Sequence, residues 1–282
     1  MSGILRKLLP LGVVLTAAVL LAGVSEGANR LEDIKKRGFI TVATEPYFAP
    51  NEFVDPTKNG DDKYVGSDIE LARYIGKKLG VDVKIVPLEF TAVLTGVTEG
   101  KYDMAISALA YTPVREEAMN LSKGYHFQKE NKGHGILIRE SEKDAIKGPE
   151  DLRGKTVVVQ SGSLQELFAQ TQIPKDIEAL KRVSATTDIF LSVQEKKADA
   201  CLTSIPTAEI YINNNPGSGL MIVEEFRFAQ DESTLGTRIG MPKGEKELTD
   251  AVNAVIDELR ASGQYDKWYD EYAAYAQSLG ID

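Results

Sequence analysis

The chain of 282 residues is 43% hydrophobic, 7% aromatic and 27% charged, a balance that excludes disorder and collagen-like structure and leaves enough apolar mass for a sizeable core. Thirty-three Lys and Arg against 42 Asp and Glu give a formal charge of −9, and no stretch concentrates basic residues with interleaved aromatics, which argues against a nucleic-acid partner. The length predicts two domains, because a single core stops growing at about 250–300 residues.

Residues 1–27 read as a secretory signal peptide: Arg6 and Lys7 precede an apolar run from Leu8 to Val24, and the small residues Ser25 and Gly27 follow. A membrane anchor is the alternative, but a span needs about 20 apolar residues, and this run is shorter and interrupted by Pro10. Cleavage near Gly27 or Ala28 takes the formal charge from −9 to −10. Val24 stands where a lipoprotein box needs cysteine, so the expected product is periplasmic and carries no lipid anchor. Cys201, the only cysteine, excludes an intramolecular disulfide and is expected in the core.

Beyond Ala28, β-branched runs alternate with amphipathic segments: Ile40 to Thr44, then Asp68 to Leu79, then Val81 to Val86. That order predicts βαβ units and a parallel sheet. In the middle segment Ile69, Ala72, Ile75 and Leu79 form one apolar stripe, and Gly80 is placed to end the helix. An internal echo follows, Val93 to Ala108 recurring as Ile189 to Ser204 at an offset of 96 residues. Each copy contains Lys-x-Asp, at Lys101 to Asp103 and Lys197 to Asp199, before an apolar strand ending in hydroxyls, Ser107 and Thr203-Ser204. Two similar α/β lobes are therefore expected.

In open α/β sheets, ligands bind outside the carboxyl ends of the strands, where helix N-termini present free N–H groups. Ala105 to Arg115 leaves a strand and enters a helix, with Thr112 as N-cap and Pro113 at the first position. Arg115 then sits in the first turn, where its charge is mismatched with the helix terminus. Either a bound carboxylate compensates the guanidinium, or Arg115 forms a surface ion pair with Glu116 or Glu117. A second turn, Gln160 to Glu166, passes through Gly162 into a helix capped by Ser161 or Ser163 and offers amides from the opposite side.

Three stretches carry a family resemblance that extends over nearly all of Leu31 to Gly280. Gly66-Ser67-Asp68-Ile69-Glu70-Leu71-Ala72, Lys101-Tyr102-Asp103 through Thr112-Pro113-x-Arg115, and Ser262-Gly263-x-Tyr265 with Trp268 resemble the signatures of family 3 bacterial solute-binding proteins, the polar amino-acid receptors of ABC importers. Ser67 departs from the usual aromatic or aliphatic residue. The resemblance implies a type II periplasmic-binding fold, two α/β lobes each with a mixed, mainly parallel sheet flanked by helices and joined by a two-strand hinge. The expected boundaries are 28–126 and 227–282 for lobe one and 127–226 for lobe two, with crossings near Tyr125–Glu130 and Glu224–Phe228.

The resemblance makes Arg115 the clamp for a ligand carboxylate, aided by amides at Ala110 and Leu164, with Ser107, Ala108, Gly162, Ser163, Gln165 and Ser204 around it. Phe48 and Phe90 fall where the family sandwiches the solute, and Glu45 where an acid contacts a far cationic group in receptors similar to the lysine/arginine/ornithine-binding protein. Members that bind α-amino acids usually hold the ammonium with a hydroxyl at the position of Ala110 and an Asp at that of Ser204, and this chain has neither. Either Glu45 or Glu166 supplies the charge, or the ligand has no free α-ammonium in the usual place. The implied partners are an amino acid or related small carboxylate and the importer permease, with the receptor a monomer and no cofactor. An enzyme on the same scaffold, resembling cyclohexadienyl dehydratase, is the alternative. His126 and His134 lie eight residues apart, which matches no zinc spacing, and both are expected at the surface or the hinge. Asp55 to Gly60 opens like a calcium loop, but Thr57 and Gly66 stand at ligand positions.

Overall fold

The computed structural model describes residues 29–127, 132–232 and 235–281. The predicted signal peptide lies outside the described residues, as do residues 128–130 of the first predicted crossing. The first part of the chain runs α1 (Arg30–Arg37), β1 (Phe39–Thr44), β2 (Tyr47–Phe48), β3 (Glu52–Val54), β4 (Tyr64–Val65), α2 (Ser67–Leu79), β5 (Asp82–Pro87) and α3 (Phe90–Thr98). It continues through β6 (Met104–Ala110), α4 (Pro113–Ala118), β7 (Met119–Leu121), β8 (His134–Arg139), β9 (Thr156–Gln160), α5 (Leu164–Thr171) and β10 (Ala179–Val183). The last part is α6 (Thr186–Gln194), β11 (Ala200–Ser204), α7 (Ile205–Asn214), β12 (Leu220–Ile222), β13 (Thr237–Pro242), α8 (Lys246–Ser262) and α9 (Gln264–Leu279).

Two five-stranded sheets carry the fold, in orders β5-β1-β6-β13-β7 and β10-β9-β11-β8-β12. Three strands of each run parallel, the fourth runs antiparallel to them, and the fifth pairs antiparallel with the fourth. The fourth strand is the exchanged one: β13 returns to the first sheet after the second is complete, and β8 opens the second after the first has built its other four strands. At the strand ends, Thr237 N–H of β13 donates to His126 O and Phe228 N–H donates to His134 O of β8, so the pairing of each sheet extends onto the connections between them.

Both faces of each sheet are covered, which is why their strands read as continuous apolar runs. In the second sheet Val157 and Val159 pack with Phe168 of α5, while Val158 points the other way to Phe190 of α6 and Cys201, the alternation a pleated strand imposes. Cys201 is fully buried, and burial pushes its thiol up. In the first sheet Ile40, Val42 and Ile106 face α2 and α8, and Ala43 and Ala105 face α3. Burying each aliphatic side chain contributes about 1.5–3 kcal/mol.

The sequence echo is a structural repeat. Helices α3 and α6 both end in a left-handed turn, at Gly100 (φ 73°) and Lys196 (φ 60°), 96 residues apart. Asp103 then accepts from Thr41 N–H at 2.7 Å and pairs with Arg30, while Asp199 accepts from Thr156 N–H at 2.8 Å and pairs with Arg139. The Asp of Lys-x-Asp therefore fastens each helix–strand unit to the neighbouring strand.

Helix α2 begins one residue before its predicted start because Gly66 (φ 126°) lets the chain turn against the loop at residues 50–51. Ser67 N–H donates to Pro50 O and Asp68 N–H to Asn51 O. A Cβ at position 66 would lie 2.1 Å from Asn51 O. Gly66→Ala is expected to cost about 2 kcal/mol or more, seen as a lower urea midpoint at an unchanged m-value.

Candidate functional site

The site grows from an irregularity in β6. Its ladder with β13 shifts register between Arg238 and Gly240, so Ile106, Ser107 and Ala108 bulge opposite Ile239. Ala108 adopts φ 46°, costly for a residue with a Cβ, and its N–H donates to Asp68 at 2.7 Å. Asp68 is fully buried at the start of α2 and also accepts from the hydroxyls of Tyr125 (2.9 Å) and Tyr265 (2.6 Å). Ser67, the departure from the family pattern, bonds Tyr265 OH at 3.0 Å. These residues turn Ser107 and Ala108 into a cavity between the two sheets.

Arg115 lines one end of that cavity. Thr112 caps α4 by accepting from Arg115 N–H at 3.2 Å. The guanidinium is 5% exposed, lies 5.3 Å from the Phe90 ring centre, and donates to Ala110 O (2.7 Å) and, across to the second sheet, to Gly162 O (2.8 Å). Burial lowers its pKa to about 10. Two of five donors are engaged in these bonds, and among the ion pairs of the described residues the alternative surface pair with Glu116 or Glu117 does not occur. A buried guanidinium held only by carbonyls has the capacity to take an anion.

Acids stand at the other end. Glu45, 1% exposed, accepts from Gln160 Nε2 at 2.7 Å, a second bond between the sheets, while its Oε1 is buried without a partner. Burial raises its pKa to about 7, opposed by its hydrogen bonds and assisted by nearby Glu89 and Asp188. Ser107 Oγ accepts from Glu45 N–H (3.0 Å) and donates to Glu52 Oε1 (2.8 Å). Glu52 also lines the cavity, and burial beside Asp68 pushes its carboxyl well above the usual range. Sequence reasoning missed Glu52; its signal, a charged residue at the start of a short strand before the apolar Phe53 and Val54, reads equally as a solvent-facing position.

Phe48, Phe90, Ser107, Ala108, Ala110 and Leu164 line the same cavity, with Ser163 and Gln165 beside them. Ser163, not Ser161, caps α5, accepting from Glu166 N–H at 3.1 Å. Gly162 contributes its carbonyl to Arg115 and sits at φ 73° against Leu94. Ser204 is buried at the end of β11 and does not line this cavity. Glu166 is engaged by Arg182 Nε (2.5 Å) and Gly162 N–H (2.8 Å). An adjoining cavity of about 320 Å³ shares Phe48, Ala108 and Ala110 and reaches His126 and His134. Those histidines are more enclosed than expected: His126 is 8% exposed, bonded to Asp266 and stacked 4.4 Å from Tyr269, while burial holds His134 at about 4. Among the described residues no cluster of three or more His, Cys, Asp and Glu could hold a metal ion.

Glu52 yields a stability prediction. The folded state retains a proton that the unfolded chain releases above pH about 4.5, so this contribution is full at low pH and is lost as pH rises. Glu52→Gln keeps the shape without the titration. Its stability relative to wild type is expected to rise between pH 5 and 8, by at most about 1.4 kcal/mol per pH unit; parallel urea-unfolding curves at both pH values would refute the assignment.

The architecture agrees with what comparison finds. Residues 40–275 match the family model for bacterial extracellular solute-binding proteins, family 3. The arginine-binding extracellular protein ArtP of Bacillus subtilis is 26% identical over 261 residues, covering 92% of this chain and 94% of ArtP. An amino acid ABC transporter substrate-binding protein, AbpA from Streptococcus pneumoniae, solved bound to L-arginine, superposes with a TM-score of 0.77 at 31% identity, covering 89% of this chain and 99% of that one. The ancestral amino acid-binding protein AncCDT-1, a precursor of cyclohexadienyl dehydratase, gives 0.72 at 29%, covering 87% and 99%. With the matched model spanning most of its length, the chain belongs to the bacterial extracellular solute-binding proteins, family 3, and is a two-lobed solute-binding protein of the amino-acid ABC-transporter type.

Proposed function

We propose that this receptor binds an arginine-like solute, with its carboxylate on Arg115 and its cationic end at Glu45, and hands it unchanged to an importer permease. The observation that carries the reading is the polarity of one cavity. A buried guanidinium lies at one end and a buried carboxyl with an unpartnered oxygen at the other. The residues that anchor them, Ala110 and Ser107, are three apart in β6, at most about 10 Å. Phe48 and Phe90 wall the space between. The arginine ligands of AbpA and ArtP have this charge pattern.

In this reading residues 28–126 and 227–282 move as one lobe and 127–226 as the other, opening at Tyr125–Glu130 and Glu224–Phe228. Solute stabilises the closed form because its contacts reach both lobes. The protein acts outside the cytoplasm as a monomer, after removal of residues 1–27. A second reading, a dehydratase on the same scaffold, is favoured by one observation, a buried acid in the cleft with a pKa of about 7 at Glu45.

A thermal-shift screen separates these readings, since a ligand that prefers the folded state raises its stability by mass action. Arginine or a close relative is expected to raise the melting temperature and to be recovered intact. Conversion of prephenate or arogenate would establish the enzyme instead. Arg115→Ala is expected to weaken binding at least tenfold, about 1.4 kcal/mol, in calorimetric titration. Unchanged affinity would remove Arg115 as the carboxylate clamp.

A further inference from the structure

The larger of the two adjoining cavities has no part in the reading above. It measures about 320 Å³, against about 40 Å³ for the space between Arg115 and Glu45, and the two share Phe48, Ala108 and Ala110. Two of those three residues present only a methyl group to the divide. Ala110 O accepts from Arg115 Nη1 at 2.7 Å, so a carboxylate on Arg115 places the solute carbon that bears it beside this divide. With the carboxylate there and the side chain running to Glu45, the α-nitrogen is the heavy atom on that carbon left to carry a further group.

The chemistry of the larger space is the reverse of the Glu45 end. Phe48, Phe127, Phe228 and Tyr269 supply aromatic walls, and among the described residues that line it there is no Asp or Glu. His134 supplies a donor. Gln165, which lines the first cavity, places Nε2 3.0 Å from His134 Nδ1, and because an amide N–H only donates, Nδ1 accepts and the ring proton sits on Nε2. Burial keeps the ring neutral at pH 7, which preserves that tautomer. His134 Nε2 bonds no described residue. An enclosed N–H beside aromatic walls and no described acid suits an acceptor oxygen, most of all an anionic one.

We propose that this space is a further subsite, and that the preferred solute is an arginine-like amino acid carrying a carboxyalkyl group on its α-nitrogen, with the added carboxylate accepting from His134 Nε2–H. The inference rests on the reading of Arg115 as carboxylate clamp and Glu45 as cation site, and gives the solute a third point of contact.

Calorimetric titration of the mature protein with three probes tests it: N2-(1-carboxyethyl)-L-arginine, L-arginine, and N2-isopropyl-L-arginine, which has the branched bulk without the second carboxylate. The carboxyethyl probe is expected to bind at least tenfold tighter than either of the others, and His134→Phe, which keeps a ring without the N–H, is expected to bring its advantage over arginine below threefold. A wild-type ratio below tenfold against either probe, or an advantage that His134→Phe leaves intact, overturns the inference while arginine binding keeps the receptor reading standing. If none of the three binds, the two-ended reading fails and the inference with it.

Discussion

The cavity depends on the buried carboxyl group of Asp68. It receives the N–H of Ala108 and the hydroxyls of Tyr125 and Tyr265, joining the start of α2, the bulge in β6, the chain after β7 and the start of α9. Without an acceptor at that point, Ala108 has no compensation for its left-handed backbone, and the strand would pair regularly with β13. Regular pairing would return Ser107 and Ala108 to the ladder. The first and last of the family motifs therefore have one physical meaning: Gly66 allows the tight approach, Ser67 and Asp68 bind Tyr265, and Gly263 (φ 62°) turns the chain between α8 and α9 so that Tyr265 can enter the core.

The same charged groups that define the cavity also cross it. Arg115 of the first lobe donates to Gly162 O of the second, and Gln160 of the second donates to Glu45 of the first. Each bond is made by a residue expected to meet solute, so closure and recognition draw on one set of atoms. In the proposed reading a solute oxygen at Arg115 adds to this contact between the sheets, which would give binding a differential effect on the closed form. The C-terminal helix contributes away from the cavity, where Ile210 of α7 packs with Ala49, Phe53 and Ala276.

Much of this was legible in the sequence where it depends on local rules. The apolar stripe of α2, its stop at Gly80, the Thr112 cap and Pro113, and the repeat at an offset of 96 residues each follow from periodicity, capping chemistry or self-similarity. Arg115 could be singled out because a cation in the first turn of a helix contradicts the helix dipole, and such conflicts concentrate at functional sites. The bulge in β6 was not legible, because register depends on a partner strand more than 120 residues away. Glu52 was missed for a related reason: its burial is set by Ser107 and Asp68, 55 and 16 residues further along the chain. The structure also distinguished among candidate acids, committing Glu166 to Arg182 while leaving Glu45 open.

Two acids at one end of a small cavity would be unfavourable if both were charged, and their surroundings divide the work. Burial, with Asp68 alongside, pushes the Glu52 carboxyl well above the usual range and favours its neutral form. Glu45 has no carboxyl in contact and no cation; its second oxygen is buried without a partner, its carboxyl is bonded by Gln160 and the Thr186 backbone, and Glu89 and Asp188 add negative potential. Removing Glu45 from water disfavours its charge by an amount that still leaves it near neutrality, at about 7. A cation entering the cavity supplies the countercharge that the protein omits, whereas an anion there would find Glu45 protonated or repellent. In the proposed reading, selectivity for a cationic end rests on one buried carboxyl left incomplete beside a second held towards its neutral form.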